Sequence, residues 1–364
     1  MNKAVQLDRE EYRILSIDFF RGFTMFMLVG GLEGLFGKLD PEKANPVVYF
    51  FNQQLSHVPW VGLHFWDLIQ PFFMFIVGVA MPFSLSRRWE RGDTWGKTFK
   101  HVLVRCFFLL AIGWAISSSA TTSNFNNVMA QLSVTYLIAF LLMRKPVKVQ
   151  IIVSFALILI TDLLYRFWPV EGFNQAFEPG HNFGSWTDLM LTGSTDHGNW
   201  VPFNAIPTAA HTIWGVLVGM LLMNDWSPKK KILTLMLTGL AGVVVGYAMN
   251  PFIPIIKHIC TSSFIIVSGG WCLIAMAISY WIIDVMKFRK VPMFFAVWGM
   301  NPLFIYLMGS SFRSFFARLT NPYIHRIFGW TNEVTIIIIS TLVVAAMLWY
   351  VCYYMYKHKI FIRI

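Results

Sequence analysis

The chain has 364 residues, 56% of them hydrophobic and only 13% charged, with a formal net charge of +11 and a mean hydropathy of +0.58. That composition lies outside the range of soluble domains and marks an integral membrane protein. The basic excess does not argue for a nucleic-acid partner, because Lys and Arg gather in short segments between apolar stretches, where membrane topology accounts for them.

Ten apolar stretches follow one another, near residues 14–36, 62–83, 98–118, 127–143, 149–166, 204–223, 231–249, 264–284, 291–312 and 334–356. Most approach the ~20 residues that a helix needs to cross the hydrocarbon core, and the fourth and fifth are short. With the N-terminus inside, twenty Lys and Arg fall in inner segments and seven in outer ones, while Arg21 and Arg105 lie within helices. This asymmetry predicts an all-α integral membrane protein, a single domain over residues 1–364 forming one bundle of about ten transmembrane helices with both termini cytoplasmic. The expected location is a bacterial inner membrane, with lipid as the surroundings. No basic, apolar, small-residue leader precedes the first stretch, so no segment is expected to be removed.

Two long outer segments, 37–61 and 167–203, stand apart from the short loops. The second is rich in Gly, Asn, His and aromatic residues, and a loop of that length is more often a lid or binding wall than a connector. The cysteines Cys106, Cys260, Cys272 and Cys352 show no CxxC or metal-ligand spacing, so neither a disulfide nor a metal site is expected.

Charges at the bilayer centre cost at least ~2.5 kcal/mol, so polar groups in the spans face a cavity or a partner. Asp18 and Arg21 share a face of the first span and form either a packing ion pair or part of an anion site. At the second span, His57 precedes Pro59 and stands at the threshold, with His64 in the first turn and Asp67 a turn deeper. A histidine there, oriented by a carboxylate, suits a general base, and an interfacial structural histidine is the alternative. Asn127 and Gln131 in the fourth span, His211 in the sixth and Asn301 in the ninth either converge on one polar cavity or make separate interhelical hydrogen bonds. No GxSxG, Walker, HExxH or GxGxxG motif stands in a suitable context.

The blocks "RILSIDFFRG", "HVPWVGLHFWDLIQPFFMFIVGVAMPFSL", "SVTY", "TSSFIIVSGGW" and "GMNPLFIY" resemble, in order and spacing, the heparan-alpha-glucosaminide N-acetyltransferase family. The resemblance runs from about residue 13 to residue 310. It implies a multi-helix membrane enzyme that takes acetyl-CoA from the cytosolic side and acetylates the amine of an amino sugar on the far side, without a metal. It further implies that His57 is the active-site histidine, with Asp67 as its carboxylate and Asn301 and the Asp18–Arg21 pair as family positions. Asn301 or Gln131 would then stabilise the oxyanion, and His211 would line the substrate cavity. The cations at the inner mouth, Arg21, Arg105, Arg87, Arg88, Arg144 and Lys145, would meet the phosphates of coenzyme A. Leu32 and Leu132 depart from the family's asparagine and arginine, which leaves the acceptor open. A sugar or small-anion transporter, or a non-catalytic relative, is the rival reading, and a homodimer is the commonest oligomeric state to expect.

Overall fold

The computed structural model describes residues 14–33, 45–119, 124–195 and 198–362. Residues 37–44 and 196–197 of the two outer segments lie outside the described residues, as do Lys3, Arg9, Arg13 and Arg363 of the charge count. Helices make up the described structure, and no strand occurs among those residues. In chain order they are α1 (Leu15–Val29), α2 (Pro46–Gln54), α3 (Ile69–Glu90), α4 (Trp95–Ser117), α5 (Val128–Leu142), α6 (Val147–Phe167) and α7 (Phe183–Thr192), followed by α8 (Ala205–Met223), α9 (Pro228–Met249), α10 (Ser262–Tyr280), α11 (Lys290–Trp298), α12 (Pro302–Phe328) and α13 (Glu333–Lys357).

Each of the ten apolar stretches contains helix among its described residues. Among the described residues seven helical segments are long and apolar enough to cross a membrane, or eight if α11 and the start of α12 are taken together. That pair bends by 64° at Gly299–Asn301, so the ninth stretch is not one straight helix. Its physical cause is Pro302, which lacks an N–H, preceded by Asn301 at φ −126°, ψ 59°, outside the helical region. Helices α1 and α5 have 15 residues each, shorter than a full crossing. Among their described residues the segments 37–61 and 167–203 each carry one short helix, α2 and α7, capped by Asn45 and Asn182.

The chain divides into two compact units, residues 1–55 with 275–363, and residues 56–274. In the first, α1 packs on α11 so closely that a Cβ on Gly22 would lie 1.7 Å from the Phe295 carbonyl oxygen. The Arg21 Nε donates to the Gly299 carbonyl at 2.8 Å, and its Nη2 meets Asp18 at 2.7 Å, so the ion pair braces the bend between α11 and α12. Asp284 accepts from the Leu15 and Ser16 N–H groups at 3.0 and 3.1 Å, closing the first turn of α1 that Ile14 cannot cap.

In the second unit α3 and α8 form the centre. The most apolar windows of their spans are 78% and 67% buried, against 22%, 22% and 17% for α4, α6 and α9, whose Phe107, Ile152, Leu159 and Val244 face outward as lipid-facing side chains do. Glycines permit the central contact: a Cβ on Gly78 would lie 2.1 Å from the Thr212 carbonyl oxygen, one on Gly215 2.1 Å from that of Phe75, and one on Gly219 2.4 Å from that of Val79. Small residues at such spacing let membrane helices approach backbone to backbone. Gly78→Ala should therefore lower the thermal midpoint in detergent by the equivalent of about 1–3 kcal/mol, the usual cost of overpacking. Gly96→Ala, where an added Cβ meets nothing within 4 Å, should leave the midpoint unchanged or slightly raised.

Candidate functional site

The polar cluster of the second unit is assembled by a loop pairing. Residues 250–261 connect α9 to α10, and Thr261 ties that loop into a tight turn by accepting from the Ile256 N–H at 3.0 Å and donating to the Pro254 carbonyl at 2.8 Å. The stretch from Ser56 to His64 lies antiparallel to it through a Val61–Ile256 bridge and a Gly62 N–H donated to the Ile255 carbonyl at 2.8 Å. Gly62 sits at φ +132°, a conformation that side chains rarely adopt. The pairing sets His57 beside Lys257.

Asp67 lies in a 3-10 turn, Phe65–Leu68, that leads into α3, and is 1% exposed. Its Oδ2 accepts the His64 N–H at 2.9 Å, and its Oδ1 lies 2.7 Å from the His57 Nδ1 and 3.6 Å from the Lys257 Nζ. A carboxylate only accepts, so the short contact assigns the Nδ1 proton to His57 and leaves the lone pair on Nε2, on the far side of the ring. The side chain of His57 is 32% exposed. The Lys257 Nζ stands 3.2 Å from the same Nδ1.

Aromatic rings wall the cluster. Trp200, from the outer segment 167–203, has its ring centroid 5.4 Å from that of His57 and 4.0 Å from that of His258, and the Lys257 ammonium lies 5.3 Å from its centre. Asn126 donates to the Trp200 carbonyl and Asn204 to the His258 carbonyl, each at 2.7 Å, which ties down the backbone that carries each ring. Burial, and then the neighbouring His57 and Lys257, push the His258 imidazole down to about 4, and its Nδ1 has no hydrogen-bond partner among the described residues. Burial pushes the Cys260 thiol up to about 12, so it supplies no nucleophile near neutral pH.

The structure brings together His57 and Asp67 and adds Lys257, His258 and Trp200, which the sequence reading passed over. Lys257 is one of the seven basic residues that the alternation of segments places outside, and the adjacent Lys–His pair in "PIIKHICTSSF" is the signal in the sequence. Among the described residues no hydrogen bond links the other candidates to His57 or Asp67. The Gln131 Oε1 accepts from the Gln70 Nε2 at 2.9 Å, one turn below Asp67. His211 is fully buried, with its Nε2 3.0 Å from the Ser268 Oγ and 3.2 Å from the Ile265 carbonyl, a tie between α8 and α10. Arg105 stacks over Tyr136 at 4.7 Å.

The Asn301 amide, in the other unit, donates to the Ile360 carbonyl at 2.8 Å and accepts the Ile362 N–H at 2.9 Å, so both its functions serve the C-terminal segment. Asp18 and Arg21 belong to that unit too. Of the departures from the family pattern, Leu132 is buried in α5 and Leu32 follows the C-terminal end of α1. Among the described residues no three His, Cys, Asp or Glu side chains cluster as a metal would require.

No family model matches the chain. The human heparan-alpha-glucosaminide N-acetyltransferase is 23% identical over 424 aligned residues, covering 97% of this chain and 60% of that protein. The chain thus spans about three fifths of its relative's length, and the similarity supports a relationship at the level of the family.

His258 carries a pH dependence whose sign follows from its environment. The folded chain resists protonating it until about pH 4, whereas the unfolded chain takes up that proton near 6.5. Stability should therefore fall with decreasing pH between those values and level off below them. Thermal midpoints measured across that window should decline less steeply for His258→Phe than for the unsubstituted protein.

Proposed function

We propose that the chain is a membrane-embedded acyltransferase that moves an acetyl group from acetyl-CoA to the amine of an amino sugar of glucosamine type. Its helices make about ten spans with both termini cytoplasmic, and His57 works at the opposite face. The observation that carries this reading is the 2.7 Å contact of the His57 Nδ1 with a buried Asp67, which puts the lone pair of a neutral ring on Nε2, in a chain similar over nearly its whole length to a known N-acetyltransferase.

An ammonium has no lone pair with which to attack a thioester, so the acceptor must first lose a proton. That proton leaves to solvent, and as the neutral amine nitrogen bonds to the acetyl carbon the His57 Nε2 takes the second one from it. Asp67, accepting the Nδ1–H, holds the ring in orientation and stabilises the imidazolium that forms. As the tetrahedral adduct collapses, the C–S bond breaks and the proton on Nε2 passes to the leaving thiolate. The products are the N-acetylated sugar and free coenzyme A.

The phosphates of coenzyme A suit cations at the other end of α3. That helix has 22 residues, about 33 Å at 1.5 Å per residue, with Arg87 and Arg88 in its last turn. Arg88 lies 3.6 Å from Asp93, and Arg144 stacks on Trp89 at 4.0 Å, so this end is a basic surface held in place by its own contacts. When bound, the thioester supplies the activated acetyl group. The basic end of the unit would hold the phosphates, while His57 at the opposite end handles the proton.

His57→Ala should lower acetyl-CoA-dependent acetylation of an amino sugar by about 10²–10⁴-fold, the range of a lost general base, without loss of folded protein. Product measured by mass spectrometry, with size exclusion to check folding, tests this. Undiminished turnover in the variant would remove His57 from the mechanism.

A further inference from the structure

Lys257 has no part in the proton transfer just described, yet it is buried, with 6% exposure, against the histidine that performs it. A buried ammonium is costly unless paired, and Asp67 and the face of Trp200 are its surroundings here. The His57 Nδ1 faces two groups that ask opposite things of it. Asp67, at 2.7 Å, needs Nδ1 to carry a proton; an N–H of Lys257, at 3.2 Å, would need Nδ1 to carry a lone pair, which would put the proton on Nε2 and disable the base. The shorter, charge-assisted contact selects the first arrangement. Lys257 then acts through its charge. Protonating the ring would set a second cation 3.2 Å from the first.

We propose that Lys257 is a positioning residue of this site, whose ammonium, 3.6 Å from Asp67 and 3.2 Å from the ring, keeps the His57 imidazole uncharged with its lone pair on Nε2. This role rests on the reading of His57 as the base, but the protonation state it describes can be measured without substrate. The described charged and titratable groups around the ring are Asp67 from the turn before α3 and Lys257 and His258 from the loop before α10. His64 is engaged with the Ser56 carbonyl at 3.0 Å.

Diethyl pyrocarbonate acylates neutral imidazole, so the pH dependence of His57 carbethoxylation, read by peptide mass spectrometry, reports the proton on the ring. Lys257→Met and Lys257→Gln should move the midpoint upward by about one pH unit, a roughly tenfold lower rate on the acidic side. Lys257→Arg, which keeps the charge, should stay close to the unsubstituted protein. Should the uncharged variants fail to fold, Asp67→Asn compared with Asp67→Asn/Lys257→Met carries the same test without a stranded carboxylate, and the double variant should again titrate higher. Equal midpoints in either folded pair overturn the proposal. The readout is independent of acetyl transfer: absent turnover in the unsubstituted protein would count against the enzymatic reading alone, and an unmoved midpoint against Lys257 alone.

Discussion

A carboxylate buried at the head of a membrane helix has to be satisfied where it lies. Asp67 is 1% exposed and receives the His57 ring, the His64 backbone N–H and the Lys257 ammonium. Those partners come from the stretch before α3 and the loop between α9 and α10, so one side chain specifies how two distant pieces of sequence meet. Much else in residues 56–274 serves that meeting. Gly62 allows the backbone pairing, Thr261 shapes the loop that carries Lys257, and Asn126 and Asn204 tie down the backbone at Trp200 and His258.

The same unit separates two chemistries along one helix. Asp67 and His57 stand before α3, while Arg87 and Arg88 lie in its last turn. The glycine contacts of Gly78, Gly215 and Gly219 hold α3 against α8 over the length between, and the buried hydrogen bonds of His211 and Gln131 add ties within the unit. The proposed transfer, from a long thioester donor to an acceptor on the opposite side of a membrane, would use such an arrangement.

Much of this was legible in the sequence. Apolar runs of helical length give the helices, and the spacing of His57, Pro59, His64 and Asp67 gives the threshold histidine and its carboxylate, because those relations are local. Lys257 was not legible: its place beside His57 depends on a pairing between residues two hundred positions apart. Asn301 misled for a related reason. Its position in an apolar run suggested a cavity, but Pro302 breaks the helix there, and the amide is taken up by the backbone of the C-terminal segment. His211 similarly reads as a candidate ligand by position, whereas its hydrogen bonds to α10 give it a packing role. In each case the sequence located a polar group in a membrane helix, but only tertiary contact decided what that group does.

The chemistry assigned to His57 requires an acceptor with an ionisable amine. The most direct measurement is incubation of the purified, unsubstituted protein with acetyl-CoA and matched pairs of sugars, each with either a free or an already acetylated amine. Product would be followed by mass spectrometry and released coenzyme A thiol by titration. The account predicts product and an equal amount of thiol from the free-amine member of a pair and neither from its acetylated partner. Absence of acetyl-CoA-dependent product from every amine, together with passage of the sugar across proteoliposome membranes without acetyl-CoA, would contradict it.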